Sequence, residues 1–366
     1  MSDKRDVMTI SGIYRKLIFI YYALKPFRPA MVVNQLYSRI LSLFISDSGF
    51  RVIDLSIGYK CNLKCDHCSV TGLEHDAAPL TLDDYRKIVR DADGLGNLSW
   101  NITGGEPLMV EWLEALIHIL NPSKNYISLQ TNCMLLTRKR AVELKKAGVN
   151  CITTSLDSHD PDTHNRFRGN PKSYDNVISG IRHAKDAGMQ VLVGGTVTHD
   201  NIQSSDLQLL IEKVNSLGAI FLFNLAVPCG SWRNNRDIII TDKDRQYLKK
   251  LLNKYPATST DHEPGRNSIG CPAGMEKIYI TPDGDVLPCP FIHVSFGNIK
   301  DSPLSAIVKK MRCVPQFGSY PDICVAAEDS YFHDQVFPAI EMYQKGTGAV
   351  PCEDVFKSIY TGEKDA

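Results

Sequence analysis

From Arg51 onward the chain repeats one unit, an apolar run of strand length followed by a stretch of helical period. The runs are Val52–Ile57, Leu98–Thr103, Tyr126–Gln130, Cys151–Leu156, Gln190–Thr198 and Ile220–Val227. Helical stretches lie between them near Leu82–Asp91, Met109–Leu120, Thr137–Ala147, Ser173–Ala187 and Ser205–Ser216. Parallel strands need long crossovers, and a helix is the usual one, so this alternation predicts a parallel α/β sheet. Glycines after Ala147, Ala187 and Leu217 predict left-handed helix ends. The pattern alone leaves open whether the sheet closes on itself.

The first run leads into Cys61-Asn-Leu-Lys-Cys65-Asp-His-Cys68. Thiolates are soft ligands suited to iron–sulfur clusters and to zinc. Three of them on one short loop can hold three irons of a cubane and leave the fourth iron open. Zinc is the competing reading, although structural zinc takes four ligands and this loop offers three sulfurs and His67. Unligated buried thiols are a third. The second run leads into Thr103-Gly104-Gly105-Glu106-Pro107. Read alone it is a turn. Its glycines also allow close backbone approach to a ligand, and Glu106 can accept from an ammonium group.

Eleven cysteines would suggest disulfides in a secreted chain. No cleavable signal is evident, and the early apolar run Leu17–Leu24 is too short to span a bilayer. The thiols are therefore read as cytoplasmic and partly metal-bound. Lys+Arg and Asp+Glu both number 41, which argues against a protein built to grip nucleic acid. Residues 1–50 form an extension with two helical faces, one through Ile10, Ile13, Tyr14, Leu17, Ile18 and Tyr21. The other runs through Val33, Leu36, Tyr37, Ile40, Leu41 and Phe44, after Pro26 and Pro29. These faces fit packing on the main domain, peripheral contact with membrane or an apolar substrate, or a partner interface.

Cys-x-x-x-Cys-x-x-Cys after a first strand resembles the signature of the radical S-adenosylmethionine (radical SAM) superfamily, with His67 where that family commonly has an aromatic residue. Gly104-Gly105-Glu106-Pro107 after the second strand resembles its glycine-rich motif. The resemblance implies a partial (β/α)6 barrel over 51–227, with its chemistry at the C-terminal strand ends. It implies a [4Fe-4S] cluster on Cys61, Cys65 and Cys68 that chelates S-adenosylmethionine. His67 and residues 104–107 would meet that cofactor, the glycine-rich motif at its methionine amino group. Thr131, Asn132, Ser155 and Asp157 would line its ribose and carboxylate. Arg168 could clamp the carboxylate, with Thr198 and Asn201 as weaker candidates.

A linker and polar helix over 228–265 precede a second cysteine-bearing region at 266–366. There Cys271, then Gly284 five residues before Cys289 at an Asp283-Gly284 hairpin, resembles the opening of the SPASM and twitch auxiliary-cluster extensions. The compact cysteine run of a fuller SPASM domain is missing. One auxiliary [4Fe-4S] cluster is therefore implied, on Cys271, Cys289 and Cys324. Cys352 is the expected fourth ligand, and Cys313 or no cysteine are the alternatives. Cys133 and Cys229 end strands on the side of the expected chemistry and could donate a hydrogen atom, while Cys151 reads as core.

The implied activity is reductive cleavage of S-adenosylmethionine and hydrogen abstraction from a small organic substrate, a sugar, natural-product or lipid-like intermediate. Net oxidation would run through the auxiliary cluster, and a flavodoxin- or ferredoxin-type protein would supply electrons. The alternatives are a peptide-modifying maturase and, of a different class, a non-catalytic iron–sulfur electron carrier. A carrier needs no glycine-rich cofactor cradle, and the first 50 residues are too few and too helical for a winged-helix leader-binding domain.

Overall fold

The structure is a computed structural model and describes residues 29–34, 51–74, 76–260, 270–344 and 348–360. Its centre is one sheet. Strands β1 (Val52–Ser56), β2 (Ser99–Thr103), β3 (Tyr126–Gln130), β4 (Cys151–Ser155), β5 (Gln190–Val197) and β6 (Ile220–Leu225) pair in parallel and in chain order. Ile53, Leu55, Trp100, Ile102, Ile127, Leu129, Ile152, Phe221 and Phe223 are fully buried, so these strands carry the main core. The outermost strands of the sheet are not paired with each other, so the barrel stays open.

Two additions lengthen the sheet beyond the six predicted strands. β7 (Thr258–Thr260) pairs with β6 inside a stretch that reads as loop from the sequence. Three residues after a proline are too few to show a period. On the other side of β1, β8 (Lys277–Ile280) joins in parallel, and β9 (Val286–Leu287) folds back antiparallel onto β8. The predicted hairpin is thus built into the barrel sheet. Charge secures the seam: Lys277 Nζ lies 3.1 Å from Asp54, and Arg51 lies 3.5 Å from Glu276.

The crossover helices are α1 (Leu82–Gly94), α2 (Leu113–Ile119), α3 (Arg138–Ala147), α4 (Pro161–Arg168), α5 (Ser173–Asp186) and α6 (Ser205–Ser216), followed by α7 (Asp242–Lys254). Their starts follow local chemistry. Thr81 with Asp84 and Thr241 with Asp244 form capping boxes, and Thr137, Asp160 and Ser204 each accept from a first-turn N–H. Gly148 ends α3 at φ 118°, as predicted. α4 lies outside the helical stretches read from the sequence; Asp160-Pro161 starts it and Gly169 stops it.

Beyond β9 come α8 (Leu304–Met311), α9 (Val325–Glu328), a π-helical turn over Phe332–Val336, and α10 (Phe337–Tyr343). β10 (Val294–Ser295) pairs in parallel with β11 (Val350–Pro351), which runs into α11 (Cys352–Val355). Phe296, Phe317, Phe332 and Phe356 form one aromatic core, with Phe317 5.6 Å from Phe332 and 5.7 Å from Phe296.

The predicted amphipathic faces before Arg51 lie outside the described residues, apart from the helical segment 29–34. There Asn34 is buried and donates to Asn125 Oδ1 at 3.2 Å, whereas Val33 is exposed. Among the described residues, no helix is long and apolar enough to cross a membrane.

Candidate active site and second cysteine cluster

The predicted site residues after β1, β2, β3 and β4 meet at one end of the sheet. β1 delivers the loop that carries Cys61, Cys65 and Cys68. All three are free thiols, Cys61 exposed and the others half-buried. They face one another closely enough that the charge of Cys68 acts on both Cys61 and Cys65. Burial pushes the Cys65 thiol up, and Arg168 pulls it back. Arg168 Nη1 lies 3.8 Å from Cys65 Sγ, while its Nε donates to Asp157 at 2.7 Å. The backbone adds a further tie: Asp66 N donates to Phe167 O at 3.0 Å and so docks the loop on the end of α4. Arg166, two residues before Arg168, is exposed and donates to Thr163 Oγ1 at 3.0 Å within α4.

His67 lies flat against Phe167, with centroids 4.5 Å apart and planes 6° from parallel, and Trp232 covers it at 5.6 Å. Burial, then Arg168, lowers its pKa to about 4, so the ring is neutral near pH 7. Its buried Nδ1 has no hydrogen-bond partner.

The glycine-rich turn packs on the approach to Cys61. Gly105 N donates to Gly58 O at 2.7 Å, and Glu106 N donates to Lys60 O at 2.8 Å. A Cβ on Gly105 would lie 2.2 Å from Lys60 O, and one on Gly104 would lie 2.5 Å from Gly58 O. The close approach inferred from sequence is therefore made, at least in part, to the chain itself. Glu106 also turns inward. It is 2% exposed and accepts from Leu108 N at 3.0 Å, Thr131 Oγ1 at 2.7 Å and Asn132 N at 2.8 Å. Burial raises its pKa against those hydrogen bonds. Pro107 is buried at the start of a single 3₁₀ turn.

Thr131 is thus engaged with Glu106, while Asn132 reaches the cysteine loop, 2.7 Å from Asn62 Oδ1 and 3.8 Å from Cys61 Sγ. Asp157 binds Arg168, and its Oδ1 accepts from Thr196 Oγ1 at 2.9 Å. Arg168 holds its carboxyl well below the usual carboxylate range, against the opposing effect of burial. Ser155 is half-buried at the end of β4. Asn201 folds back on Thr196 O and Thr198 N, which makes it a loop brace.

The second cluster forms from distant parts of the chain. The Cys324 thiol is pushed up by a hydrogen bond with Cys271, then by burial and the charges of Cys271 and Cys289. Burial raises Cys289 to about 12, with Cys271 next in effect. Cys271 N donates to Pro321 O at 2.7 Å, which brings the two chain segments together. Cys352 is placed differently from the expectation. Its Sγ is 3.3 Å from Glu353 Oε2, and Lys310 and Glu353 are its charged neighbours. The cause is the β10–β11 pair, after which α11 begins at Cys352 and faces it to the end of α8. Cys313 is exposed, 3.5 Å from Lys309 O.

Cys133 is also misplaced by the sequence reading. It is 2% exposed at φ 63°, its Sγ lies 3.2 Å from Thr154 Oγ1, and it packs on Gly180 of α5. Cys229 lies shortly after the end of β6. It is buried, and after burial its strongest influences are the charges of Cys289 and Cys68. Ser231 N donates to Cys68 O at 3.0 Å, which sets this segment against the first cysteine loop.

The chain matches the radical SAM superfamily over residues 55–214 and an iron-sulfur cluster-binding domain, SPASM, over 271–325. It is 25% identical over 298 residues to an AdoMet-dependent heme synthase of Nitratidesulfovibrio vulgaris, covering 73% of this chain and 81% of that one. It is 29% identical over 297 residues to a probable GTP 3',8-cyclase of Methanococcus vannielii, covering 77% and 96%. In fold it is similar to Streptococcus suis SuiB bound to precursor peptide SuiA, with a TM-score of 0.58, 18% identity, and coverage of 87% and 74%.

Proposed function

This chain belongs to the radical SAM superfamily in its SPASM-bearing form, and we propose that it abstracts hydrogen from a small organic substrate with net oxidation. The observation that carries this reading is the meeting of the Cys61–Cys68 loop, the Gly104–Glu106 turn and the Arg168–Asp157 pair at one end of the sheet. Three free thiols on one loop suit a [4Fe-4S] cluster with an open iron, and the trio of Cys271, Cys289 and Cys324 suits an auxiliary one. Bound there, the first cluster would supply the electron for reductive cleavage of S-adenosylmethionine.

The chain's own residues orient and shield. Arg168 places a buried cation beside Cys65 and offsets thiolate charge. Glu106 ties the turn after β2 to the start of the loop after β3, so the glycine-rich backbone and Asn132 hold fixed positions beside Cys61. His67, Phe167 and Trp232 form an aromatic wall along one side of the loop.

A small substrate is favoured by the two relatives, whose names describe a heme synthase and a GTP cyclase. A peptide substrate is the second reading, supported by the fold similarity to SuiB with its precursor peptide. Electrons would come from a flavodoxin- or ferredoxin-type donor. The test is anaerobic incubation of reconstituted protein with dithionite and S-adenosylmethionine. 5′-Deoxyadenosine is the expected product, and its absence would leave an electron carrier as the better account.

A further inference from the structure

The segment that follows β6 forms part of the lining of a pocket. It is set directly on the end of the first cysteine loop. Ser231 N donates to Cys68 O at 3.0 Å, and a Cβ on Gly230 would lie 2.1 Å from that same oxygen. Phe291 and His293, shortly after Cys289, also line the pocket, as do Phe337, Ile340 and Glu341 of α10.

Two opposite charges line this pocket without neutralising each other. Arg233 and Glu341 are both half-buried, and among the described residues neither has an ion-pair partner. Arg233 is nevertheless held in place. It donates to Gln344 Oε1, and the Gln344 amide donates in turn to Gly72 O at 2.9 Å and Gly348 O at 2.7 Å. Partly burying a charge is costly unless an opposite charge meets it, and here the protein meets the cation only with a neutral amide. His293 marks the same place independently. It is 2% exposed, and its Nε2 is buried with no hydrogen-bond partner. Burial, then Arg233, lowers its pKa to about 4, so near pH 7 the ring adds hydrogen-bonding capacity and no charge.

We propose that this pocket holds the substrate, and that the substrate is a small zwitterion of amino-acid type. Its carboxylate lies on Arg233, its ammonium on Glu341, and its apolar part against Phe291, Phe337 and Ile340. That the ligand is the substrate rests on the radical SAM reading above. Inside a peptide the backbone carries neither charge, so the Arg233–Glu341 pair favours a free small molecule over a peptide.

The experiment is anaerobic calorimetry on the full, reconstituted chain with three probes of one shape. L-Leucine carries both charges, 4-methylpentanoate only the carboxylate, and 3-methylbutan-1-amine only the ammonium. Leucine should bind the wild type at least about tenfold more tightly than either analogue. Arg233→Gln should weaken leucine about tenfold and leave the amine unchanged, and Glu341→Gln should weaken leucine while sparing 4-methylpentanoate. Iron content and melting temperature would show that each variant is folded and loaded, and the wild-type comparison needs no variant. Equal affinity for the three probes would overturn the proposal, as would no saturable leucine binding at about 10 mM. Unchanged leucine affinity in both variants would do the same. Absence of 5′-deoxyadenosine from the wild type would instead remove the radical SAM reading and leave the binding result standing.

Discussion

Glu106 shows how a residue can matter to a site without facing its ligand. Its carboxylate joins Leu108, Thr131 and Asn132, and Asn132 leads to Cys61. Glu106→Gln replaces an acceptor with a donor among these N–H and O–H groups. The expected cost is about 1–3 kcal/mol of stability together with weaker S-adenosylmethionine binding. Urea unfolding and anaerobic calorimetry would check both, and unchanged values in each would show that the carboxylate does not hold the two loops. A sharper separation comes from replacing Cys61, Cys65 and Cys68 together with Ala. Iron should fall by about four per chain while the auxiliary spectrum persists. Continued 5′-deoxyadenosine formation by that variant would refute the assignment of the first loop.

Among the elements, α7 offers a test that needs no cluster. Asp244 closes its capping box and accepts from His199 at 2.6 Å. These contacts hold the Asp244 carboxyl down at about 2, against the opposing effect of burial, and raise His199. The Asp244 contribution is complete above the ordinary carboxylate value near pH 4 and is lost as pH falls towards 2. The His199 contribution is present below its ordinary value near pH 6.5 and is lost as pH rises through its higher folded value. The melting-temperature gap between wild type and His199→Ala should therefore be widest between about pH 4 and 6.5. A gap that is flat across that range and up to pH 9 would contradict the pairing. Asp244→Ala should cost about 1–2 kcal/mol through the lost cap.

Elements of this length were legible because their periods are. Tyr126–Gln130 and Ser205–Ser216 match their predicted bounds, and the other main strands differ only at their ends. β7 was hidden by its three residues, and α4 by a proline that starts a helix as readily as it ends one. The cysteine loop and the glycine-rich turn were legible from spacing. The surroundings of Cys352 and Cys229 were not, because sequence order does not say which face of the fold a residue reaches. That depends on the β10–β11 pairing and on how β6 ends.

At the scale of the whole molecule, the two cysteine regions share one sheet through β1 and β8. Asp54 is buried at that seam between Lys277 and Asn101, which donates to it at 3.0 Å. Lys277→Met would leave the carboxylate without its cation, at an expected cost of about 3 kcal/mol. Urea unfolding would measure it, and a change under about 0.5 kcal/mol would mean that the ion pair is not what secures the seam.

The same seam governs assembly in time. Val52 has Ser99 as one strand partner and Lys277 as the other, so its second partner is made about 225 residues later. At ribosomal rates of about 5–20 residues per second, that is a delay of roughly 10–45 s. Throughout it, the strand that carries the first cysteine loop has one open side. Iron delivered to a nascent chain would meet thiols on an unfinished scaffold, so lasting incorporation belongs after synthesis, when β8 has docked.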